Sequence, residues 1–252
     1  MKRTILFIAL AAAFISAVAA DLQVEQVNVK RTWAISSSEA QEYAPEGWTP
    51  GIDATIDFPT GNDKLSQTVV KWMASSLGVA TIAYSNAEQL VDAYALNVKE
   101  NDNDMTIEFS LTKVYETNEL VSYEMQGYDY NCGAAHGMPY CHGVTFRKSD
   151  CKDMSDLLVK KTARISHLLK KGLKEYFSVT TDNQLQEVLF DGNIPVRTPG
   201  SSPWVVNDGI MFQYGAYEIA PYAAGMPQAL ISIKDLTPYL TPEAIKCLKV
   251  KR

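Results

Sequence analysis

From Met105 the chain alternates with a period of two: Met105, Ile107, Phe109 and Leu111 are apolar, and Thr106, Glu108 and Ser110 between them are polar. That period sends successive side chains to opposite faces of an extended chain, so the stretch is a strand with one dry and one wet face. Thr117-Asn118 makes a short turn, and Val121, Tyr123 and Met125 resume the alternation on a returning strand. The pattern predicts antiparallel hairpins with one face on a core and the other in water. A further strand is expected from Tyr140 to Arg147, after a loop bounded by Cys132 and Cys141.

Upstream, Leu22 to Trp33 and Ile52 to Phe58 alternate in the same way. Asn62 or Asp63 then caps a helix whose stripe is Leu65, Val69, Trp72, Met73 and Leu77, and Gly78 ends it. Ser85-x-x-Glu88 resembles a capping box for a second helix with Leu90, Val91, Tyr94 and Val98 inward. Downstream, the longest helix is expected from Lys160 to Phe177. Its apolar side is Ile165, Leu168, Leu169, Leu173 and Tyr176, opposite a basic stripe of Lys160, Arg164, His167, Lys171 and Lys174. Thr241-Pro242-Glu243 opens a last short helix. Strands and helices do not alternate one for one, which predicts an α+β fold: antiparallel sheets with helices packed on one face, in two sub-domains, 21–104 and 105–252.

The chain opens Met1-Lys2-Arg3, runs apolar from Thr4 and reaches small residues at Ala17-Val18-Ala19. This is the pattern of a cleaved secretory signal peptide over 1–20, and it predicts a periplasmic or secreted product that meets the membrane only through that leader. Loss of Lys2 and Arg3 with the leader takes the net charge from −6 to −8. An acidic balance disfavours nucleic acid and suits a cationic partner. In an exported chain four cysteines predict two disulfides. Of three possible pairings, Cys132–Cys141 with Cys151–Cys247 is favoured, the first closing a short loop and the second tying down the C-terminus. Cys132, His136, Cys141 and His142 are also metal-ligand types, but pairing of the cysteines takes precedence, so no metal and no cofactor is expected.

An apolar strand ending at Tyr214 and another starting at Gln228 flank Gly215-Ala216-Tyr217-Glu218-Ile219-Ala220-Pro221-Tyr222-Ala223-Ala224-Gly225. This is too aromatic for a solvent loop and too rich in Gly and Pro for a helix. It reads as a packed connection whose tyrosines bury rings and hydrogen-bond through hydroxyls. Glu218 within it is either a carboxylate that fixes the turn through backbone N–H groups or an acid–base residue. Gly-x-Ser-x-Gly, His-Glu-x-x-His, phosphate-loop and dinucleotide motifs are absent.

Tyr217 to Gly225, with the following apolar strand and Lys234-Asp235-Leu236, resembles the C-terminal signature of RsiV-type extracellular domains, a domain shared with the deacetylase PdaC. Gly133-Ala134-Ala135-His136-Gly137 is similar to that family's Gly-Gly-Ala-His segment, with Ala134 replacing the second glycine, and Met154-Ser155-Asp156-Leu157-Leu158 resembles its short element before a long helix. The resemblance spans about 105–245; residues 51–98 resemble the smaller PdaC-like partner domain. It implies a non-catalytic α+β module whose ligand is a lysozyme-like cationic protein or a cell-wall glycan. On that basis His136, Tyr214, Tyr217, Glu218 and Tyr222 are the candidate ligand-binding residues. The alternative is an envelope polysaccharide hydrolase or deacetylase accessory using Glu218; the Thr-Phe-Asp-Asp and His-x-x-x-His elements of polysaccharide deacetylases are absent.

Overall fold

The computed structural model describes residues 21–101, 104–190 and 196–250; the expected leader lies outside them, as does part of the Gly- and Pro-rich loop near 192–203. A first sheet has six strands in the spatial order of the chain: β1 (Val24–Thr32), β2 (Gly51–Pro59), β3 (Met105–Glu116), β4 (Leu120–Asn131), β5 (Met138–Arg147) and β6 (Lys152–Asp153). A second sheet has three, β7 (Trp204–Val206), β8 (Gly209–Gln213) and β9 (Gln228–Ile231). The helices are α1 (Ser38–Tyr43), α2 (Lys64–Ser76), α3 (Ala87–Asn101), α4 (Ser166–Tyr176), α5 (Asp182–Val188), α6 (Ile233–Leu236) and α7 (Pro242–Cys247). The architecture is α+β. One pair departs from the antiparallel expectation: β2 and β3 run parallel. The reason lies between them, since α2 and α3 supply the long crossover that a parallel pair requires and a short turn cannot.

The inner face of the first sheet carries Ile52, Ala54, Ile56 and Phe58 from β2, Ile107, Phe109 and Leu111 from β3, and Tyr123 and Met125 from β4, all buried. They pack on Leu65, Val69, Met73 and Leu77 of the α2 segment and on Leu90, Val91 and Val98 of α3. Each Val, Leu, Ile, Phe or Met side chain among them contributes about 1.5–3 kcal/mol when fully removed from water. Asp63 is the cap of α2, its Oδ1 accepting from Leu65 N and Ser66 N at 2.9 and 3.1 Å. At α3 the cap falls one residue later than Ser85: Asn86 Oδ1 accepts from Gln89 N, and Gln89 Oε1 reaches back to Ser85 N. The position 104/105 lies between strands of this one sheet, so residues on both sides of it share the first core.

A second core gathers Leu169, Leu173, Phe212, Tyr214, Ala229, Ile231 and Leu240 around the three-stranded sheet. Its helix α4 is shorter than the expected 160–177, because long-range pairing takes the preceding residues: Val159 bridges Leu240, Lys160 N donates to Tyr239 O, and Lys160 Nζ reaches Pro238 O. Two residues of the basic stripe are ion-paired, Lys174 with Asp182 and Lys171 with Asp235. Trp204, fully buried, joins the two sheets: its ring lies over Gly143, where a Cβ would come within 2.3 Å, and its Nε1 donates to Glu124 Oε2 at 3.2 Å.

The cysteines correct the expected disulfides, since Cys132, Cys141, Cys151 and Cys247 are all free. In the β4–β5 ladder Cys141 stands opposite Gln126, six positions before Cys132. At the rise of a strand that separates the two by about 20 Å, whereas a disulfide needs Cα atoms within about 7 Å. Cys132 Sγ instead points at Ala40 O. Cys151 packs on the first core and Cys247 is buried in the second.

Candidate ligand-binding surface

The β4–β5 hairpin ends in the segment that carries His136. Gly133 has φ +83°, which favours glycine. Gly137 is required for a different reason: a Cβ there would lie 2.3 Å from Asp129 O and 2.6 Å from the Tyr128 ring. Gly137 N donates to the Tyr128 hydroxyl at 2.8 Å, and Gly137 O lies 3.0 Å from His136 Nδ1. A ring that donates from Nδ1 leaves Nε2 as an acceptor.

The 214–227 connection is held from within. Gln213 is buried and its Nε2 donates to the carbonyls of Tyr214, Met226 and Pro227, drawing the two ends together. Tyr214 is fully buried, with its hydroxyl on Arg197 O at 2.8 Å; burial, ahead of nearby Glu218, pushes its phenol well above the ordinary value. It belongs to the second core. Glu218 Oε1 accepts from Gly200 N at 2.9 Å and Oε2 from Gly215 N at 2.8 Å, while its carbonyl accepts from Arg197 Nη2 at 2.8 Å. The carboxylate clamps two loops. Tyr217 sits at φ +63°, a costly conformation for a residue with a Cβ, and is 47% exposed.

These two segments, far apart in the chain, meet. The His136 and Tyr222 rings stack at 3.9 Å between centroids with planes 25° apart, and Tyr217 lies 5.7 Å from Tyr222. Tyr222 donates to Gly137 O at 2.8 Å, and the Tyr217 hydroxyl is 3.5 Å from His136 Nε2. The neighbouring Tyr128 hydroxyl, ahead of burial, raises the Tyr222 phenol above its ordinary value. So the structure brings together His136, Tyr217 and Tyr222, places Glu218 behind them as a clamp, and withdraws Tyr214 into the core. Tyr128, exposed and bonded through its hydroxyl to Gly137 N, completes the patch and escaped the sequence reading. The signal for Tyr128 was its parity: Val121, Tyr123 and Met125 face inward, so position 128 presents an aromatic ring on the wet face.

The patch offers rings, hydroxyls and one imidazole. The thiol of Cys141 is pushed up to about 12 by burial and then by Glu124, which keeps it protonated and unreactive. His142 packs edge-on to Trp72, away from His136, and burial lowers its pKa. Among the described residues no group of three or more His, Cys, Asp or Glu stands close enough to hold a metal, and no helix is long and apolar enough to cross a membrane.

The fold and this surface define an α+β domain of two packed sheets with an open aromatic patch. Residues 155–234 match the family model described as Protein of unknown function (DUF3298), a stretch that includes the 214–227 connection. Two solved structures share the fold. A DUF3298 family member from Bacteroides fragilis aligns with TM-score 0.68 at 19% identity, covering 92% of this chain and 99% of its own. A DUF3298 family protein from Pseudomonas aeruginosa aligns with TM-score 0.59 at 16% identity, covering 90% and 98%. No curated protein matches the chain.

Proposed function

We propose that this protein is an exported, non-catalytic binding module of the bacterial cell envelope, periplasmic or secreted, whose partner is a strongly cationic protein of the lysozyme kind. The observation that carries the reading is the convergence of His136, Tyr217 and Tyr222 on an exposed aromatic patch. Aromatic side chains with part of their surface in water are the residues most often found as interface anchors. The net charge of −6, or −8 without Lys2 and Arg3, adds long-range attraction for a basic partner. The resemblance of both segments to RsiV-type ectodomains points the same way. Glu218 supports a structural part for itself, since each of its oxygens already accepts a backbone N–H.

The test is a salt titration of c-type lysozyme binding to the chain from Asp21 onward. Screening shortens to about 8 Å at physiological ionic strength, so the steering component weakens, whereas contact through the aromatic patch persists. Binding that resists moderate salt and falls about tenfold or more in Tyr217→Ala is the expected result. Binding that vanishes at moderate salt, or saturable binding to a neutral cell-wall glycan in its place, overturns the choice of partner. Measurable pH-dependent turnover of peptidoglycan overturns the non-catalytic reading.

A further inference from the structure

Resting on the reading of a cationic protein partner, we propose that the uncovered part of the outer face of the six-stranded sheet, centred on Asp53 and Glu108, receives a lysine or arginine side chain of that partner. The second sheet covers one end of this face through Trp204. What remains is a groove of ≈ 500 Å³ lined by Asp53, Thr55, Glu108, Gln126, Tyr128 and Met226, among others. Tyr128 belongs both to this groove and to the aromatic patch, through its hydrogen bond with Gly137 N. The two are therefore one continuous surface.

Four carboxylates line the outer face, and the structure uses two of them internally. Asp57 accepts from Gln26 Nε2 and from Lys113 N. Glu124 accepts from Gln126 Nε2 and Trp204 Nε1. The other two stand side by side, because the parallel register sets Asp53 opposite Glu108. Asp53 has only a solvent-exposed contact with Lys30 at 3.5 Å, and the Glu108 carboxylate has no hydrogen-bond or ion-pair partner among the described residues. Like charges opposite one another on adjacent strands repel. On the next strand Tyr128 stands opposite Glu108, so a cation seated between the carboxylates also meets an aromatic ring. A neutral sugar could donate hydroxyls to the two carboxylates but would leave their like charge uncompensated, whereas a lysine or arginine both donates to them and neutralises it, which is why the occupant is a basic side chain.

The experiment compares lysozyme binding to the parent, to Asp53→Asn/Glu108→Gln, and to Glu88→Gln/Glu187→Gln, a control with the same net charge whose substitutions lie on α3 and α5. The groove variant is expected to bind about tenfold or more weakly, with a flatter salt dependence and an undiminished melting temperature; Glu108→Gln alone serves if the double variant melts early. The control should bind within about threefold of the parent. If the groove variant binds like the parent while Tyr217→Ala loses binding, the groove is overturned and the module stands. Equal weakening in both charge variants means net charge alone, and also overturns the groove. If the parent binds no lysozyme, both readings fall. If instead it binds an N-acetylglucosamine oligosaccharide equally well with and without the two carboxylates, the surface serves a glycan and this proposal fails.

Discussion

At the scale of single residues, two carboxylates behave in opposite ways. Glu218 holds Gly200 N and Gly215 N, one per oxygen. Glu218→Gln would turn one acceptor into a donor facing an N–H, so we expect a loss of roughly 1–3 kcal/mol in urea unfolding, with lysozyme affinity changing less. Asp129, on β4 beneath the His136 segment, has Oδ1 buried without a hydrogen-bond partner among the described residues, and the Tyr140 hydroxyl is in the same condition. Burial raises the Asp129 carboxyl to about 6, and the nearby Tyr140 hydroxyl, which falls short of a well-formed hydrogen bond to it, offsets this only in part. The folded state therefore holds this proton more tightly than the unfolded chain. Stability from this group is full below about pH 4 and is lost as pH rises towards 6. Asp129→Asn should remove that loss and be more stable at pH 7–8 by roughly 1 kcal/mol, a figure kept below the full value of the shift because the side chain is partly exposed. A stability-against-pH curve for both forms checks this; equal slopes between pH 4 and 6 would sink it.

At the scale of elements, α4 and β9 are pressed together at Gly172. A Cβ there would lie 2.7 Å from Ala229 Cβ and 2.8 Å from its Cα. Alanine is favoured over glycine inside a helix by up to about 1 kcal/mol, but overpacking a tight contact costs about 1–3 kcal/mol. The clash is with backbone and a short side chain, neither of which can swing away. Gly172→Ala is thus expected to lower the melting temperature despite its better propensity, and a rise would show that α4 can shift outward. The first sheet carries a comparable contact at its centre, where Gly127 leaves room for the Tyr140 ring on the neighbouring strand.

At the scale of the whole molecule, the chain is tied together by buried polar contacts as well as by its two cores. Lys148, almost wholly buried, meets Glu116 at 2.6 Å, and Glu116 also accepts from Leu22 N at 2.6 Å, fastening the start of the described chain to β3. For Glu116 burial pushes the carboxyl up, but Lys113, Lys148 and the Leu22 amide together hold it below its ordinary value. Val205 N on Thr145 Oγ1 and Trp204 on Glu124 cross between the sheets. Covalent links are not part of this scheme. Unfolded under non-reducing conditions, the protein should titrate four thiols. An intact mass four hydrogens below the reduced value would restore the disulfide expectation.

By itself the sequence determined what local patterns govern. Alternation from Met105 to Met125 marked the central hairpin, the α2 cap was narrowed to Asn62 or Asp63 and the last helix was placed at Thr241-Pro242, the Tyr217–Gly225 segment stood out by composition, and Gly133–Gly137 by its resemblance to a known segment. It also left open whether Glu218 acts on a ligand or on the chain itself. Tertiary structure decided everything that depends on distant partners. Strand register, invisible in a single strand's pattern, set Cys132 and Cys141 apart and placed Asp53 beside Glu108. A bridge from Val159 to Leu240 displaced a helical start that local periodicity favoured. Packing drew Tyr214 inward and left Tyr217 and Tyr222 at the surface, where they meet a histidine 81 residues away from Tyr217. Periodicity reports which face of an element is apolar, but which two faces touch depends on how both cores close, and only the folded chain contains that information.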